Sequence, residues 1–204
     1  MKITLIGDSI RQQYLPGVRE LLGDEFEIWS PEDNCRFAQY TLRGLFDWAK
    51  EMAGSEIVHF NCGHWDVCRL FEYGTFTDEA EYVKTMSRIL DIFEARGFKV
   101  IFATTTPVRE ANLYNKNEDI KRFNQLISDV VRERGGVVND LYSLLAGDVD
   151  ANISDDMLHL SDEGKALCAQ QVAACIRDVA KKIPKVENGK GICKSDQSGA
   201  PVLI

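Results

Sequence analysis

Nowhere in this sequence does an apolar run approach the ~20 residues that a membrane-spanning helix needs. No stripe of lysine and arginine runs through it. The formal net charge is −8, so a nucleic-acid backbone is repelled on average. No glycine-rich run is present to cradle a phosphate. None of the six cysteines (Cys35, Cys62, Cys68, Cys168, Cys175 and Cys193) belongs to a C-x-x-C pair, which reads as thiols kept reduced. There is no internal repeat. The first apolar run is too short, and too soon interrupted, for the core of a signal peptide. These absences predict a cytoplasmic protein without a membrane or nucleic-acid partner.

What is present is ordinary globular material. The chain has 204 residues, 45% apolar and 27% charged, enough for one domain with a sizeable core. Strand and helix patterns alternate. "KITLIG" reads as a first strand. "PGVRELLG" reads as a helix begun by Pro16 and ended at Gly23. "EFEIWS" is a short second strand. Residues 37–53 have helical spacing through Leu42, Leu45, Phe46 and Ala49. "EIVHFN" is a third strand.

Residues 78–96 carry the clearest amphipathic stripe: Tyr82, Met86, Ile89, Leu90 and Phe93. Thr77 is the expected N-cap, and Gly97 the stop. "KVIFATT" is a fourth strand. A helix over 118–134 buries Ile120, Phe123, Ile127, Val130 and Val131. "VVND" is a fifth strand, and a last helix runs from about 161 to 181. Cys168 and Cys175 share one face of it and read as small apolar packing residues. This alternation predicts an α/β protein, a five-stranded parallel sheet covered by helices on both faces. Residues 1–183 form the domain, and 184–204 read as a tail or a docked extension.

Open parallel sheets bind ligands beyond the carboxyl ends of their strands. The first strand delivers Gly7-Asp8-Ser9 there. The second delivers Asn34-Cys35-Arg36-Phe37-Ala38-Gln39, the third Asn61-Cys62-Gly63-His64-Trp65-Asp66, and the fourth "TTTPVRE". Near the end of the chain comes "DDMLHLSDEG". Its Asp156 and His159 are three apart, so in a tight turn they lie on one side. The carboxylate can then hold Nδ1–H while Nε2 takes a proton from Ser9. That is the arrangement of orienter, base and nucleophile, and it needs neither cofactor nor metal. Asp155 is a rival for the orienter, and the spacing favours Asp156. Taken alone, Ser9 would be a turn serine, and either aspartate a helix cap.

Gly7-Asp8-Ser9 near the N-terminus, with Asp156-Met157-Leu158-His159 before the last helix, resembles the SGNH (GDSL-type) hydrolases. The resemblance covers roughly residues 1–182. It implies a flavodoxin-like three-layer α/β/α sandwich and an esterase, lipase, thioesterase or deacetylase activity. It also implies Ser9 as nucleophile, His159 as base, Asp156 as its partner, and the Ser9 N–H as an oxyanion donor. Two blocks depart from the family pattern. Trp65 stands where the family has an oxyanion-binding Asn, and the second block has no Gly. Asn61 lies two residues before Gly63 and, on an extended segment, would point the same way as residue 65. It is therefore expected to supply the missing side-chain donor, with a backbone donor from Ala38 or Gln39.

Arg36, His64 and Trp65 are the expected substrate-binding residues. Phe71 and Arg109 are further candidates, each as well explained by packing or by solvation. Cys62, His64, Asp66 and Cys68 alternate at period two and are all legal zinc ligands. A run leaving a strand rarely stays regular that long, so no metal is expected. His59, inside a strand, reads as a core histidine. The implied activity is hydrolysis of a short acyl ester, such as acetyl, on a carbohydrate or other polar alcohol. Acyl transfer at the same site and a silent binding module of the same fold are the alternatives.

Overall fold

The computed structural model describes residues 1–184; most of the expected C-terminal tail lies outside the described residues. Five strands, β1 (Lys2–Ile6), β2 (Glu27–Trp29), β3 (Ile57–Phe60), β4 (Lys99–Ala103) and β5 (Val137–Asn139), form one parallel sheet in the order β2-β1-β3-β4-β5. Each strand is short, and the central ones are buried, most of β1, all of β3 and the end of β4, as expected where both faces of a parallel sheet are covered. The register sets Ile6 beside Phe60 and Phe60 beside Phe102, so the strands end at one level. No helix of the described residues is long and apolar enough to cross a membrane.

Helices α1 (Ser9–Leu22) and α8 (Asp162–Ala180) pack side by side on one face, with α6 (Leu141–Ala146) and α7 (Val149–Asn152) against α8. Their core joins Ile10, Tyr14, Val18, Cys168, Val172 and Ile176 to Ile3 and Leu5 of the sheet. On the other face, α2 (Ala38–Asp47), α4 (Glu79–Ala95) and α5 (Asn117–Glu133) cover Ile6, Val58, Phe60 and Phe102. The short helix α3 (Ala49–Met52) adds Met52 to that layer.

The structure corrects several expected boundaries. Helix α1 begins at Ser9, not Pro16. Asp8 caps it by accepting from the Ile10 N–H at 3.0 Å. Ile10, Tyr14, Val18 and Leu22 form one buried stripe at i, i+4, i+8 and i+12, and this carries the helix through Pro16. The helix expected over 37–53 breaks at Trp48, whose indole folds onto Gly44 so closely that a Cβ there would lie 2.3 Å from it. Thr77 does not cap α4. Its hydroxyl donates to Asp66, and Asp78 takes the cap by accepting from the Glu81 N–H. The two short helices α6 and α7 were not expected. Asp140 and Asp148 cap them, a signal the sequence does contain.

The contact of α1 with α8 brings the segment after β1 against the last helix of the described residues. It is close at Gly17, where a Cβ would sit 2.8 Å from that of Ala169. Gly17→Leu should force these helices apart and lower stability by about 1–3 kcal/mol, read as a shifted midpoint in urea unfolding.

Candidate active site

The turn from β1 into α1 is tight because Gly7 has no room for a side chain. A Cβ there would meet the Asn61 carboxamide at 2.0 Å and the Arg11 Cβ at 2.7 Å. Ser9 follows as the first residue of α1, so its N–H belongs to the helical turn that has no intrahelical acceptor. Arg11, 1% exposed, reaches back from the next turn. Its guanidinium donates to the carbonyls of Gly7 at 3.0 Å, Pro31 at 3.0 Å and Asp33 at 2.7 Å. The Cys35 N–H also donates to Gly7 O, at 3.2 Å. The loop after β2 is thereby fastened to the turn that carries the serine.

The loop before α8 arrives from the opposite side. Asp156 organises it: one carboxylate oxygen accepts from the N–H groups of Leu158 at 3.0 Å and His159 at 2.8 Å, and from the Ser154 hydroxyl at 2.8 Å. This local turn holds Met157 in the left-handed region, at φ 70°. The other carboxylate oxygen lies 2.7 Å from His159 Nδ1, and His159 Nε2 lies 2.9 Å from Ser9 Oγ. Partial burial pushes the Asp156 carboxyl up, but the backbone donors and His159 outweigh it and hold it well below the usual carboxylate range. Asp155 points away and pairs with Arg109.

Above Ser9 and His159 opens a cavity of about 490 Å³, walled by Phe37, Trp65, Leu70, Phe76 and Leu158. Trp65 is 44% exposed in this wall. His64 also faces the cavity, yet both ring nitrogens are engaged. Asn115 Nδ2 donates to Nδ1 at 3.2 Å, so Nε2–H donates to the Thr106 hydroxyl at 2.9 Å. Burial pushes its pKa down. Buried His59 is likewise pushed down, to about 3.

Other expected site residues lie elsewhere. Asn61, 3% exposed, sits behind the nucleophile turn, where its amide donates to Asp8 at 2.9 Å. The alternation expected through 61, 63 and 65 fails because the chain turns at once, with the N–H groups of Asp66 and Val67 both donating to Gly63 O. The Gln39 side chain is exposed and donates to Glu81, while its backbone N–H, the expected donor, lies in the first turn of α2. The Ala38 N–H is taken by the Asp66 carboxylate at 3.1 Å. Burial pushes that carboxyl up to about 6, against the pull of its donors Thr77 and Ala38.

Arg36, at φ 50°, is exposed and lies over the Tyr40 ring, 4.7 Å from its centre. Arg109 does not face the cavity. It donates to Ile153 O and Asp150 O and so braces the loop that carries Asp156. Phe71 is exposed and stands outside the cavity wall. Among the described residues, no three His, Cys, Asp or Glu side chains converge as a metal site. Asn34, delivered to this end of the sheet by the second strand but given no role in the sequence, lines the cavity. Its signal was its position two before Arg36, where an Asn side chain closes a local turn.

No family model matches the sequence, and no curated protein matches it significantly. Solved structures do match. An acetyl xylan esterase is 18% identical, with 86% of this chain and 100% of that one covered and a TM-score of 0.73. A lipase/acylhydrolase from Enterococcus faecalis is also 18% identical, covering 87% and 96%, with a TM-score of 0.73. A carbohydrate esterase family 3 structure from Talaromyces cellulolyticus is 18% identical over 90% and 100%, with a TM-score of 0.72. The chain has the α/β fold of these proteins, the same group of folds that its sequence resembles.

Asn61→Ala should leave the buried Asp8 carboxylate short of a donor and lower stability by about 1–3 kcal/mol. Chemical unfolding of the purified variant reads this directly. A midpoint equal to that of the wild type would mean the carboxamide supports nothing.

Proposed function

We propose that this chain is a serine ester hydrolase of the SGNH type, working through an acyl-enzyme. The observation that carries the proposal is the unbroken line from Ser9 Oγ to His159 Nε2, 2.9 Å, and from His159 Nδ1 to Asp156, 2.7 Å. The fold shared with esterases and acylhydrolases supports it.

In this reading Ser9 Oγ attacks the ester carbonyl as His159 Nε2 takes its proton. Asp156 fixes the tautomer, holding the Nδ1–H and stabilising the imidazolium that forms. The Ser9 N–H, at the positive end of α1, donates to the carbonyl oxygen as it becomes negative. The C–O bond to the alcohol then breaks, and the departing alkoxide takes the proton from His159. Water, deprotonated by the same imidazole, attacks the acyl-enzyme and releases the acid and Ser9. Because Asp156 is held well below the usual carboxylate range, it stays ionised when the solution becomes mildly acid. Loss of activity on mild acidification is then not loss of the orienting carboxylate.

The finer reading is a short acyl group, such as acetyl, on a carbohydrate or other polar alcohol. The names of an acetyl xylan esterase and a carbohydrate esterase of the same fold support it. The exposed indole of Trp65 offers such an alcohol a flat apolar surface at the cavity wall.

The wild type should hydrolyse p-nitrophenyl acetate, more slowly as the pH falls, and faster than esters of longer acids. Ser9→Ala and His159→Ala should each lower kcat by nearly as much as the double variant, since the two groups act as a unit. Hydrolysis that survives Ser9→Ala would refute the nucleophile.

A further inference from the structure

The reaction proposed above places a negative charge on the carbonyl oxygen, and one backbone N–H at Ser9 is a thin provision for it. Two of the other groups expected to help are engaged. Asn61 is turned to Asp8 behind the turn, and the Ala38 N–H is held by Asp66. The Asn115 amide, although on the cavity wall, is turned to His64.

We infer that the side-chain Nδ2 of Asn34 is the second oxyanion donor, a role that rests on the ester-hydrolase reading. Asn34 lines the same cavity as Ser9 and His159. Its Oδ1 accepts from the Arg36 N–H at 2.8 Å. A backbone N–H can only donate, so this bond settles which end of the amide is oxygen. The nitrogen is the remaining end, and it has no partner among the described residues.

The same bond explains why Arg36 takes a left-handed conformation, at φ 50°. The loop closes on the Asn34 side chain, as Asx turns do. Nor is the loop free to drift. Arg11 holds the carbonyls of Pro31 and Asp33, and Cys35 N–H holds Gly7 O. Asn34 therefore sits in a segment tied to the turn that presents Ser9, with one amide end locked and the other available. A donor in fixed position needs no reorganisation as the charge develops, which is the condition for oxyanion stabilisation.

The test uses the full chain, p-nitrophenyl acetate, and two variants. Asn34→Ala removes the donor and the turn. Asn34→Asp keeps an oxygen for the Arg36 N–H, removes the donor and adds a negative charge. Both should lower kcat by about 10²–10³-fold, with KM changed by less than about threefold. Phenylboronic acid, which forms a tetrahedral adduct on the serine, should lose affinity in both variants. A merely structural loop residue would lose activity as Asn34→Ala but recover it as Asn34→Asp, and that recovery would overturn the assignment. So would kcat within about threefold of the wild type in both variants. If the wild type shows no Ser9-dependent hydrolysis, the hydrolase reading itself fails and this inference fails with it. Ser9-dependent hydrolysis that is indifferent to Asn34 overturns this inference alone.

Discussion

A guanidinium buried in the core holds the site together. Arg11 spends its two terminal nitrogens on the carbonyls of Gly7, Pro31 and Asp33, while its Nε finds no partner among the described residues. A buried charge is tolerable only when it is solvated by the protein, and here the solvating dipoles are backbone carbonyls from separate segments. The consequence is geometric. The turn before Ser9 and the loop after β2 cannot separate without stranding that charge. Strands β1 and β2 are neighbours in the sheet, but β2 pairs over only a few residues. Beyond it, the loop is also tied by Ser30 Oγ to Leu5 O, by Gln12 to Glu32 O and by Cys35 N–H to Gly7 O.

The other half of the site is held by a different device. Asp156 folds its own loop by accepting from Leu158 N–H, His159 N–H and the Ser154 hydroxyl. Arg109 then braces that loop from outside through the Ile153 and Asp150 carbonyls. The orienting carboxylate is thus also the loop's organiser, and the donors that hold its shape keep it ionised. The two halves meet because α1 and α8 pack closely at Gly17 and Ala169. Ser9 opens the first of those helices, and His159 lies just before the second.

Much of this is legible in the residues because it depends on local spacing. An alternation of strand and helix needs little more than periodicity to read, and D-x-x-H states its own contact in any tight turn. The obscure parts depend on tertiary competition. Thr77 reads as a cap until Asp66 claims its hydroxyl. Pro16 reads as a helix start until the buried stripe from Ile10 to Leu22 carries the helix past it. Asn61 reads as facing outward with residue 65 until the chain turns at Gly63. In each case a local preference is right about the residue's capacity and wrong about which partner reaches it first.

Two helix N-termini converge at this site, and they differ in what they have left to offer. At α2, the first N–H is held by the buried Asp66 carboxylate. That carboxylate also takes the Thr77 hydroxyl, so it ties α2 to the segment leading into α4. That donor of α2 is spent on architecture. At α1, Asp8 accepts from Ile10 N–H, the second residue of the helix, and leaves the Ser9 N–H uncapped. A capping side chain that reached one residue earlier would remove the donor nearest the nucleophile. An aspartate from a distant loop therefore holds the first N–H of one helix, while the aspartate before the other leaves its first N–H open, and the open one carries the serine.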